Sequence, residues 1–94
     1  MKVVWLVSAR NQLESILEYI SIDSPKAAEK YTYELFSKTN DLLKHPDIGM
    51  IYATKGNKVV RRLIIDKTKF ILYRVDQKCV TVLVLIDSRT NWKK

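Results

Sequence analysis

Two adjacent arginines, Arg61 and Arg62, and a third inside Asp87-Ser88-Arg89-Thr90-Asn91-Trp92 are the residues of this chain best suited to chemistry. A guanidinium is permanently charged and presents a planar fork of N–H donors that suits phosphate or carboxylate oxygens. Lys55 and Lys58 precede the pair, and Arg74 follows on the next apolar run. Such groups can stabilise a pentavalent phosphate and its leaving group electrostatically, or hold a polyanion or an acidic protein. The competing role for any one arginine is a salt bridge to Asp66, Asp76 or Asp87. Trp92 can stack on a base, although a tail tryptophan more often covers the edge of a core.

The charge of the whole chain collects around these residues. Residues 1–57 carry seven basic and seven acidic side chains, whereas residues 58–94 carry ten basic against three acidic, the entire net charge of +7. A field so lopsided attracts polyanions or an acidic partner and speeds encounter with them.

Other chemistry lacks its parts. His45 is the only histidine and precedes a proline, a place for a cap or surface group, and Cys79 opens an apolar run with no histidine near it, which reads as core. One His and one Cys make no metal-ligand spacing, and Gly49 and Gly56 form no phosphate-cradling loop. No cofactor or metal is therefore expected. A lone cysteine cannot form an internal disulfide, which suits a reducing compartment. Met1-Lys2 leads into only five apolar residues, and Cys79–Ile86 is far too short to span a bilayer. The expected location is the cytoplasm, with no membrane partner.

The elements that must position the arginines follow from pattern. The 94 residues form one domain, 1–94. Val3–Val7 is β-branched and aromatic and predicts a strand. Ser8 then reads as a helix cap, with Leu13, Ile16, Leu17 and Ile20 on one helical face. Ser24-Pro25 is a second helix start, with Pro at the first position, where its missing N–H costs nothing. Ala28, Tyr31, Leu35, Thr39 and Leu42 form the next buried stripe, widened by Ala27, Phe36 and Leu43. Pro46 ends that helix, and 50–57 reads as a loop turning at Lys55-Gly56-Asn57. Strands follow at 58–65, 69–75 and 79–86, the last apolar on both faces and so interior to the sheet. Their short links imply antiparallel neighbours. The expected fold is α+β, in the order β-α-α-β-β-β, with a helical hairpin on one face of a mainly antiparallel sheet and the other face open. Arg61 and Arg62 must leave opposite faces of their strand. Arg61, sharing its face with Val59 and Leu63, is expected to be the one presented in the groove.

With those elements placed, the chain resembles the RelE/ParE superfamily of bacterial toxin–antitoxin toxins over nearly its whole length. The resemblance rests on the element order, on Ala27-Ala28, and on Leu42-Leu43-Lys44-His45-Pro46-Asp47-Ile48-Gly49, which is similar to the family's helix exit. It rests also on Val60-Arg61-Arg62-Leu63, Phe70-Ile71-Leu72-Tyr73-Arg74-Val75 and the tail Asp87–Lys93, with Trp92 where proline is usual. It implies a toxin of a type II toxin–antitoxin system, neutralised by a co-encoded antitoxin. The expected antitoxin segment is acidic, amphipathic and folds on binding. Two targets are open within the resemblance. ParE-like members inhibit DNA gyrase without chemistry. RelE-like members cut mRNA on the ribosome, with Arg61 and Arg89 matching the basic catalytic positions. Lys55, Lys58, Arg62, Arg74 and Trp92 are then target- or nucleic-acid-binding residues. After Arg89 there is no Tyr or His to move a proton, a departure that favours gyrase inhibition. A non-toxic binding module of the same fold is the third reading.

Overall fold

In the computed structural model, which describes residues 1–88, the chain runs β1 (Lys2–Trp5), α1 (Val7–Asp23), α2 (Pro25–Asp41), β2 (Met50–Lys55), β3 (Lys58–Ile64), β4 (Lys69–Val75) and β5 (Cys79–Asp87). The strands form one sheet in the order β1-β5-β4-β3-β2. β1 pairs with β5 in parallel and every other pairing is antiparallel. The helical hairpin α1–α2 lies on one face. The expected α+β architecture is therefore present, with β5 interior as its apolar sequence requires.

One strand was hidden in the expected loop. Residues 50–55 form β2, an edge strand whose six side chains are all exposed. The pairing Lys55↔Lys58 leaves Gly56-Asn57 as a two-residue hairpin turn. Gly56 has φ +63° and no other residue has a positive φ among those described, the pattern of a turn that needs glycine at its first central position. A register shift between Ile51 and Ala53 bends this edge. Because nothing covers β2, it has no buried face and no alternation for the sequence to display.

The other departures are local. α1 starts at Val7 with Leu6 as its N-cap and no side-chain capping bond, so Ser8 lies inside the first turn. The Leu6 amide still belongs to the sheet, donating to the Val82 carbonyl at 3.0 Å while the Leu6 carbonyl accepts from Arg10. Strand thus passes into helix without a loop. Ser24 caps α2 as expected, its hydroxyl accepting from the Ala27 amide at 3.1 Å with Pro25 at the helix start. Tyr31, Leu35, Thr39 and Leu42 form the buried stripe, while Ala27, Phe36 and Leu43 are exposed. Phe36 instead meets the Trp5 ring edge-on at 5.9 Å, outside the main core.

The core lies between hairpin and sheet. Ala9, Leu13 and Ile16 of α1 and the α2 stripe meet Leu63, Ile71, Tyr73, Val80, Val82 and Leu85. Burying side chains of this size contributes about 1.5–3 kcal/mol each relative to exposure. Where β1 ends, β5 continues, and the Gln12 side chain of α1 accepts from the Leu85 amide at 3.2 Å. A backbone donor without a strand partner is satisfied by the helix. Cys79 sits half-buried at the start of β5, its sulfur 3.7 Å from Asp76 and 3.6 Å from Thr81, rather than in the core.

Candidate functional site

Tyr73 organises one end of the sheet. Its ring is fully buried, its hydroxyl donates to the Pro46 carbonyl at 2.7 Å, and it accepts from the Gly49 amide at 2.9 Å. Burial pushes this phenol above its ordinary pKa, against the opposing pull of the Gly49 amide and the Arg61 charge. The hydroxyl is accordingly neutral and its proton is engaged at Pro46. Gly49 has no room for a side chain. A Cβ there would lie 2.7 Å from the Arg62 carbonyl oxygen and 2.8 Å from the Tyr73 ring and hydroxyl. This close approach is the physical content of the Pro46–Gly49 helix exit.

Arg61 fastens the same segment. Its Nη1 donates to the Gly49 carbonyl at 2.8 Å and to the Asp47 carbonyl at 3.3 Å. It shares the face of Leu63, as expected, and pairs across the sheet with Tyr73. That face carries the helices, so Arg61 reaches an opening beyond them rather than the bare side of the sheet. Arg62 takes the bare side, with its guanidinium carbon 5.5 Å above the Phe70 ring.

The opening is a cleft of about 690 Å³ bounded by Pro46, Asp47, Asn57, Lys58, Val59, Arg61, Arg74, Val75 and Asp76. Lys58, Arg61 and Arg74 thus border one concavity, Arg61 from the helix side and the other two from strand positions on the opposite face. Of its two carboxylates, Asp76 is held below the usual carboxylate range by the amides of Lys78 and Cys79, at 2.8 and 2.9 Å. Neither Asp66 nor Asp76 forms an ion pair with these arginines among the described residues. The cleft can hold an anionic group by charge and by N–H donors. Tyr73 keeps its proton and Asp76 stays ionised, so neither is poised to relay one.

The sequence-derived site residues divide accordingly. Lys58, Arg61 and Arg74 meet in the cleft. Lys55 pairs opposite Lys58 on the hairpin at its border. Arg62 lies on the other face. Arg89 and Trp92 lie outside the described residues. Sequence reasoning missed Tyr73 and Gly49, which were visible only as family motif positions, and it missed Lys69.

Lys69 sits at the far end of β4 and is almost wholly buried. Its Nζ lies 2.6 Å from Asp66, 3.7 Å from Glu34 and 4.4 Å from the Tyr31 ring centroid. The Tyr31 hydroxyl donates to Asp87 at 2.9 Å. Partial burial alone would raise the Asp66 carboxyl. Bonds from Lys69 and from the Thr68 hydroxyl and amide outweigh that effect and hold it well below the usual range.

The comparisons with known proteins agree with this architecture. The family model for the ParE toxin of the type II toxin–antitoxin system parDE matches residues 3–92. A solved structure described as the chromosomal ParDE TA system from P. aeruginosa is similar at 20% identity, with a TM-score of 0.73, covering 93% of this chain and 95% of that one. No curated protein matches. With nearly its full length matched, and with the helix exit and arginine-bearing strands in place, the chain belongs to the ParE toxin family of type II toxin–antitoxin systems.

Proposed function

We propose that this toxin acts as a non-enzymatic inhibitor of DNA gyrase and is neutralised by a co-encoded acidic antitoxin. The observation that carries this reading is the makeup of the cleft: Lys58, Arg61 and Arg74 supply fixed positive charge, while Tyr73 holds its proton and Asp76 is a weakly basic, ionised carboxylate. Cutting RNA through a 2′-hydroxyl needs a group that takes a proton and another that returns one. A binding inhibitor needs neither. The chain's net charge of +7 suits gyrase–DNA complexes, where phosphates are at hand.

Purified protein should slow supercoiling by gyrase and accumulate cleaved gyrase–DNA complexes. If it does neither, gyrase inhibition is wrong. Ribosome-dependent mRNA cutting is the second reading, favoured by three cations converging where a phosphate could sit. Primer extension in a translating bacterial extract separates the two. New 3′ ends that require active ribosomes would replace the first reading with the second, and Arg61 and Arg89 would then be the catalytic candidates. A chain that neither arrests growth nor acts in either assay would be a binding module of toxin fold.

A further inference from the structure

The β2–β3 hairpin runs on where its neighbour leaves it. β3 pairs with β4 from Val60 to Ile64, but its pairing with β2 continues through Thr54↔Val59 to Lys55↔Lys58. Beyond Val60↔Arg74 the two hairpin ends part, and the cleft opens between Asn57-Lys58-Val59 on one side and Arg74-Val75-Asp76 on the other. The tip is thus a two-stranded ribbon, closed by Gly56-Asn57 and exposed from Thr54 to Lys58.

Its charge is one-sided. Residues 48–65 hold Lys55, Lys58, Arg61 and Arg62 and no carboxylate. Both ion pairs among the described residues belong to Lys69. Lys55 and Lys58 stand directly opposite each other, and like charges so opposed cost stability. An anion seated between them removes that cost. Arg74 lies beside Val60, one strand over and two residues along from Lys58, a separation of about 8 Å. One strand of B-DNA presents about two phosphates over that length.

We infer that the β2–β3 tip is a DNA contact, with Lys55, Lys58 and Arg74 seated on backbone phosphates of the duplex that gyrase holds; this rests on the gyrase reading. Chemistry selects DNA over an acidic protein surface. The tip offers Thr54, Lys55, Gly56, Asn57 and Lys58 and no apolar anchor. Protein interfaces concentrate their energy in buried aromatic and arginine anchors and are depleted in lysine. A two-stranded ribbon, by contrast, fits the major groove of B-DNA, about 12 Å wide. The cleft is bounded also by Asp47 and Asp76, so the phosphate strand crosses its Lys58–Arg74 rim rather than filling it. Arg62 is engaged elsewhere, over the Phe70 ring.

The test begins without gyrase. The full-length chain is titrated against a fluorescent DNA duplex of arbitrary sequence, by anisotropy, over a range of salt. Three phosphate contacts give a slope of log affinity against log salt of about −2.7. Lys55→Gln/Lys58→Gln should make that slope shallower by about 2 and weaken binding at least tenfold. Its melting temperature should be no lower than that of wild type, because a repelling pair is gone. Lys30→Gln/Lys38→Gln removes two exposed cations from α2 and should bind within threefold of wild type. Equal losses from the two double variants would make the binding a property of net charge and overturn the contact. In the inhibited gyrase–DNA complex, the chain with Asn57 replaced by photoreactive benzoylphenylalanine should crosslink to DNA. Crosslinks to a gyrase subunit alone would overturn the DNA contact and leave the inhibition standing. A wild-type chain that does not inhibit gyrase overturns that reading, and the duplex titration then decides the ribbon's role by itself.

Discussion

β4 begins at Lys69 and reaches Arg74 near its other end, and the two ends treat positive charge in opposite ways. At the Lys69 end the ammonium is buried against the Tyr31 ring and paired with Asp66 and Glu34. At the Arg74 end, Lys58, Arg61 and Arg74 open into a cleft, and Arg61 is held by backbone carbonyls rather than carboxylates. Bonding a guanidinium through carbonyls orients it without neutralising it. The difference separates charge spent on holding the fold from charge kept for a partner. The hinge between them is Tyr73, which sits mid-strand and secures the loop that shapes the cleft.

Substitutions of graded effect separate the two ends. Gly49→Ala should be the most damaging, because its Cβ meets a backbone oxygen and a buried ring that cannot retreat. Overpacking of this kind costs about 3 kcal/mol and should appear as a large fall in melting temperature. Lys69→Ala comes next, at about 2 kcal/mol, below the range for fully buried pairs because Asp66 and Glu34 can rehydrate. It should leave activity per folded molecule unchanged. Lost toxicity at an unaltered melting temperature would refute the structural role of that end.

Tyr73→Phe removes one donor and one acceptor, leaving the Gly49 amide and Pro46 carbonyl unpaired, and should cost about 1.5 kcal/mol. Smallest is the acid response of Asp66. Its folded pKa lies below the ordinary 3.8, so its contribution is complete above that value and is lost as the pH falls through it and below. The side chain is 40% exposed, so screening keeps the effect under about 1 kcal/mol. Asp66→Asn should flatten this acid limb in denaturant titrations, and an unchanged slope would mean that the Lys69 pairing adds nothing.

How much of this was legible in the sequence depends on what each residue touches. The α2 stripe was readable because Tyr31, Leu35, Thr39 and Leu42 repeat at helical spacing against one core. β2 was not, since an uncovered edge strand has no buried side to create a pattern. Its turn at Gly56-Asn57 is visible in the sequence, but with no pattern in the residues before it the stretch predicts a loop. The opposite directions of Arg61 and Arg62 followed from strand geometry, yet which face carried the helices did not. Lys69 reads as a surface lysine until Glu34, 35 positions earlier, and Tyr31 are brought beside it. Likewise, Gly49 looks like turn punctuation until Tyr73 closes over it.

The cleft cations carry the proposed inhibition most directly. The decisive measurement is inhibition of gyrase supercoiling by Lys58→Ala/Arg74→Ala beside wild type, with both melting temperatures recorded. Truncating the exposed Lys58 and the half-buried Arg74 should alter stability by no more than about 1 kcal/mol. The expected result is inhibition weakened at least tenfold at an essentially unchanged melting temperature. Undiminished inhibition by the variant would contradict the assignment of the cleft.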